Sequence, residues 1–122
     1  MFKRVVAIAI AASLIATAAS AMTVQEFLTT VSHIPQNPTA LLRSDTRRVM
    51  AEFRGAVLTV RAEQTAARAA GRRPATCMPE KVGFSPNEII GRFNAIPATR
   101  RTQISVTQAV REWMADRYPC PA

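Results

Sequence analysis

The chain has 122 residues, 48% apolar and 20% charged, with 16 basic against 8 acidic side chains and a formal charge of +8. That length leaves no room for two domains with separate cores. One histidine and two cysteines are poor material for a metal centre or a nucleophile with its base.

In chain order, Lys3 and Arg4 precede an uncharged apolar run from Val5 to about Ala16, and the small residues Ala19, Ser20 and Ala21 follow. This is the layout of a secretory signal cut after Ala21. The apolar run, at about 12 residues, is shorter than the roughly 20 that cross a bilayer. Residues 22–122 are then a single domain exported to the periplasm, with no membrane span once the signal is gone. Losing Lys3 and Arg4 takes the 16 basic residues to 14 against 8 acidic ones, 13 of them arginine and one lysine.

Thr23 and Glu26 have the spacing of a capping box, and Val24, Phe27, Leu28, Val31 and Ile34 follow at helical spacing until Pro35. Asn37 and Pro38 offer a cap and a preset first residue for a short turn through Ala40, Leu41 and Leu42. Ser44 or Asp45 can cap the longest helix, whose apolar stripe is Val49, Met50, Phe53, Val57 and Val60. Arg47, Arg48, Glu52, Arg54 and Arg61 lie mostly off that stripe and face water. Its alanine-rich end stays helical by propensity while burial declines, and Gly71 stops it before the loop at Arg72, Arg73 and Pro74.

Ser85, Pro86, Asn87 and Glu88 combine a capping serine, a proline at the first helical position and the reciprocal glutamate, with Phe84 set to staple onto Ile89. Ile89, Ile90, Phe93 and Ile96 form the buried face of this helix, and Pro97 ends it. The last helix carries Val106, Ala109, Val110, Trp113 and Met114 and stops at Pro119. Thr99, Thr102, or Ser105 with Gln108, can begin it. Neither a strand signal nor an internal repeat is present. The expected fold is therefore all-α, a small bundle of about four helices.

Cys77 and Cys120 flank the last two helices. An even pair in a short exported chain reads as a disulfide before it reads as a metal site or a nucleophile. If the two helices form an antiparallel hairpin, the bridge clamps its open end and closes a loop of about 44 residues.

The sequence gives no constellation for catalysis, a cofactor or a metal. His33 is alone near the end of the first helix, the two thiols are committed to each other, and Glu26 and Glu88 are explained by capping. The pairs Arg47 with Arg48, Arg72 with Arg73, and Arg100 with Arg101 read either as a solvated arginine-rich surface or as the footprint of an envelope polyanion or acidic protein. They are separated and not interleaved with aromatics, which argues against nucleic acid.

From Cys77 to Pro121 the chain resembles the Tai/Rap family of small exported immunity proteins, which neutralise type VI secretion amidase effectors in the periplasm. The matching residues are Cys77, Met78 and Pro79, then Val82, the helix with Ile89, Ile90 and Phe93, Pro97, and a closing Tyr118, Pro119, Cys120 and Pro121. Upstream, the segment around Phe53 and Gly55 looks like the family's aromatic-and-glycine helix. Many relatives carry a second cysteine pair, for which this chain has Met50 and the region of Leu42 to Ser44 instead. The resemblance implies a protein that inhibits a cell-wall amidase by covering its active site, commonly as a homodimer. It implies a contact loop at Pro97 to Gln103, where Thr99, Arg100, Arg101 and Thr102 would meet an acidic rim. A small envelope chaperone or stress protein with no effector partner is the alternative, and a small envelope enzyme a weaker one.

Overall fold

Short polar side chains set where the helices begin. In the computed structural model, which describes residues 21–121, the Thr23 hydroxyl accepts from the Glu26 N–H at 3.1 Å and opens α1, Val24–Ser32. Asn37 Oδ1 accepts from the Thr39 N–H at 3.0 Å and begins a 3-10 turn, Pro38–Leu42. The 26-residue α2, Ser44–Ala69, follows directly. Ser85 and Glu88 close a full capping box at the start of α3, Pro86–Asn94. A four-residue α4, Ala98–Arg101, lies in the connection to α5, Val106–Arg117, which Ser105 caps through the Gln108 N–H at 3.0 Å. The secretory-signal reading of residues 1–21 lies outside the described residues, apart from Ala21.

The fold is all-α. Among the described residues the one extended pairing is an isolated antiparallel bridge between Thr23 and Ser105, flanked by Val24 N–H to Ile104 O at 3.1 Å and Val106 N–H to Met22 O at 2.9 Å. It fixes the start of α1 beside the start of α5 and leaves Met22 only 2% exposed.

Three local expectations need correction. Arg43, not Ser44 or Asp45, is the N-cap of α2; no side chain caps it, and Arg43 instead pairs with Asp45 at 3.1 Å. The box at Thr23 is made in one direction only. The connection after Pro97 contains a helical turn of its own, in which the single Pro97 carbonyl accepts from the N–H groups of both Arg100 and Arg101. Ser105 with Gln108 starts the last helix, leaving Thr99 and Thr102 in the connection.

The core forms where α5 lies along α2, with α1 and α3 closing the remaining sides. Val49, Ala56 and Val60 of α2 and Val106, Ala109, Val110, Trp113 and Met114 of α5 are buried there. Phe93 is fully buried from α3 and stands edge-on to Phe27 of α1, with ring centroids 5.0 Å apart. Met50, expected on the buried stripe, is half exposed at 50% and sits on the outer edge of α2.

Along the end of α2 most residues are exposed, as expected, but Gln64 and Ala67 stay buried because the chain folds back over them. Gly71 takes φ +69°, a left-handed value costly for side chains with a Cβ. The N–H groups of Gly71 and Arg72 then bond back to Arg68 O and Ala67 O, a Schellman ending that reverses the chain. Residues 76–78 return beneath it. Gln64, 5% exposed, accepts from the Met78 N–H at 2.7 Å and donates to the Met78 carbonyl at 3.3 Å.

The same segment meets the end of α5. The Thr76 hydroxyl lies 2.9 Å from Met114 O and 3.2 Å from Tyr118 O, and the Cys77 N–H donates to Tyr118 O at 2.8 Å. The disulfide Cys77–Cys120 joins them covalently, with Cα atoms 4.9 Å apart. Glu88 pairs with Arg117, and Arg92 with Asp116 at 2.7 Å, so α3 and α5 run antiparallel with this bridge at their open end.

Candidate functional site

Apolar surface left over from this packing forms one groove of ligand size. α1 has 9 residues and α2 has 26, so α1 cannot cover the flank of α2 that faces it. Val31 of α1 and Ile34 just beyond it, Phe53 and Val57 of α2, and Phe84 and Ile89 before and within the first turn of α3 surround a cleft of about 830 Å³. That is within the ~300–1,000 Å³ usual for clefts that take small molecules or side chains.

Aromatic packing keeps the floor rigid. Phe53 stands edge-on to Phe84 at 5.6 Å, and Phe84 lies 4.8 Å from Trp113. From the far side the Arg117 guanidinium covers the Phe84 ring at 5.2 Å, a cation–π contact that Glu88 steadies by pairing with Arg117. The rim is formed by Leu41, Met50, Leu58 and Arg54. With Leu42 these three apolar residues are the large hydrophobics most open to water among the described residues, 71% for Leu41, 79% for Leu42, 50% for Met50 and 59% for Leu58.

The residues expected to meet a partner lie elsewhere, around α4, which packs beside the start of α1; the groove lies at the other end of that helix. Thr99 and Thr102 are exposed, with the Thr102 hydroxyl donating to Thr99 O at 3.1 Å. Arg100 is exposed and paired with Glu112 at 2.7 Å, a contact that raises the arginine pKa and lowers that of the glutamate. Arg101 folds back, its Nε donating to Ile96 O at 2.9 Å. Thr99, Arg100 and Thr102 thus face water, while Arg101 braces the turn.

His33 is exposed at the C-terminal cap of α1. Among the described residues no three His, Cys, Asp or Glu side chains gather to hold a metal ion. No described helix is long and apolar enough to cross a membrane. Glu63, Glu88 and Glu112 have pKa values lowered first by side-chain hydrogen bonds from Arg111, Arg117 and Arg100 respectively, so they stay ionised and unfit as proton donors.

The sequence reading missed the groove. It joins α1, the 3-10 turn and α2 to residues 82–90, more than twenty positions further on, and only the adjacent pair Leu41 and Leu42 hinted at unburied apolar surface. No family model, curated protein or solved structure matches this chain.

Proposed function

We propose that this protein is a periplasmic binding protein of the immunity type, which inhibits a cell-wall amidase effector by lying across its active-site cleft. The observation that carries this reading is the disulfide between Cys77 and Cys120, which brackets the segment resembling the Tai/Rap family. With the bracket closed, the turn at residues 97–103 stands on a helical pair fixed at its far end, so little ordering remains to be done on binding. Thr99, Arg100 and Thr102 are the contact residues, and the Glu112 pair holds Arg100 in position for an acidic rim.

The test is to identify the neighbouring gene and, where it encodes a cell-wall amidase, to titrate that enzyme's peptidoglycan hydrolysis with the non-reduced protein. Stoichiometric inhibition is expected, and Arg100→Ala should weaken it about tenfold, the equivalent of roughly 1.4 kcal/mol of contact. An amidase that keeps full activity at a molar excess of the protein overturns the reading.

The open groove favours a second reading, an envelope chaperone that holds apolar segments of unfolded clients. It requires the protein to suppress light scattering by an aggregating client, and Leu58→Ser to remove that effect.

A further inference from the structure

The arginines without an ion partner among the described residues are concentrated on one helix and the turn that ends it. Ion pairs occupy Arg43, Arg92, Arg100, Arg111 and Arg117, while Arg73 bonds the carbonyls of Cys120 and Pro121, and Arg101 that of Ile96. The other arginines among the described residues, Arg47, Arg48, Arg54, Arg61, Arg68 and Arg72, lie on α2 or within three residues of its end. None of the six makes an ion pair with a described residue.

Four of them, Arg47, Arg54, Arg61 and Arg68, are seven residues apart. At about 100° and 1.5 Å per residue they fall within an arc of roughly 60° and form a row about 32 Å long. The three carboxylates of α2, Asp45, Glu52 and Glu63, fall together on the opposite side. Met50 and Leu58 stand within or beside the arginine arc, Leu41 of the preceding turn lines the same groove as Arg54, Met50 and Leu58, and Leu42 beside it is exposed.

We propose that this face of α2, with the 3-10 turn before it, docks on a bilayer rich in anionic phospholipid. The arginines would lie among the phosphates, with Leu41, Leu42, Met50 and Leu58 entering the acyl boundary. Regular spacing of a single charge sign suits a two-dimensional sheet of negative charge better than the shaped patch of an acidic protein. Aliphatic side chains between the arginines need an apolar layer behind the charge, which a bilayer offers and a nucleic acid does not. Long arginine stems also let the charge reach the headgroup level while the helix lies lower.

The experiment is sedimentation of the full chain, expressed with its own leader and purified non-reduced, with vesicles of phosphatidylcholine alone or mixed with phosphatidylglycerol. Binding is expected only to the mixed vesicles and should fall steeply with added salt. Arg54→Gln with Arg61→Gln should weaken it about 25-fold, near fivefold for each charge removed from an anionic surface. Arg48→Gln with Arg72→Gln removes the same charge away from the row and should weaken it about twofold at most. Unchanged circular dichroism melting shows that both variants fold. Equal losses in the two double variants, equal binding to both vesicle types, no binding to either, or occupation of the face by a second copy of the chain at the concentrations used would each overturn the proposal.

Discussion

Gln64 shows how one polar side chain can hold two segments together. It gives Met78 both a donor and an acceptor inside the core, so neither backbone group of that residue is stranded. Gln64→Leu keeps the volume and removes both bonds, leaving a buried N–H and C=O unpaired. The expected loss is about 1–3 kcal/mol in urea unfolding. A variant as stable as the parent would mean that the Thr76 and Cys77 contacts with the end of α5, together with the disulfide, hold the returning segment without Gln64. The periodicity was legible, since Ala56, Val60, Gln64 and Ala67 continue the spacing of the buried stripe. A glutamine between Glu63 and Thr65 in an alanine-rich stretch disguised it, because what covers that position comes from residues 76–78, across a turn whose direction depends on Gly71.

Among the elements, charged pairs join α5 to three neighbours. Arg111 pairs with Glu63 of α2 at 2.6 Å, Arg117 with Glu88 of α3, and Glu112 with Arg100 of α4. The three glutamates have folded pKa values below the ordinary 4.5, each lowered first by hydrogen bonding from its arginine. A carboxylate with a lowered folded pKa binds fewer protons folded than unfolded. Its stabilising effect is therefore complete above the unfolded value and lost as pH falls through the folded one. The melting temperature should be flat near neutrality and decline below about pH 4.5, and changing all three glutamates to glutamine should flatten that decline. All three pairs are partly solvated, so high salt should weaken them. A parent protein with no acid limb would show that these pairs contribute nothing.

Helix identity was legible because the cap signals at Thr23, Asn37, Ser85 and Ser105 act locally. The start of α2 was misread since its polar residues face the solvent and Arg43, and the α4 turn was hidden in a segment too short for a periodic pattern.

At the scale of the molecule, the disulfide closes the C-terminal half and leaves α1 and α2 outside the covalent loop. Its sequence separation of 43 gives a loop-entropy contribution on the order of 4 kcal/mol. Cys77→Ala with Cys120→Ala should lower stability in urea by about that amount, and thiol labelling of the non-reduced parent should find no free sulfur. Full labelling, or an unmoved midpoint, would remove the bracket as a source of rigidity. The all-α class and this bridge could be read from periodicity and cysteine count. The groove could not: it exists because a short α1 faces a long α2, a difference in reach that appears only after the helices pack.

The bridge between Thr23 and Ser105 has a consequence for timing. Met22 is buried and its carbonyl is held by Val106, so the peptide bond after Ala21 lies one residue from the finished core. A leader peptidase needs several residues of extended chain in its cleft. On the exported reading, scission must therefore come before maturation of the domain, and pre-folded precursor should resist processing while freshly unfolded precursor is cut.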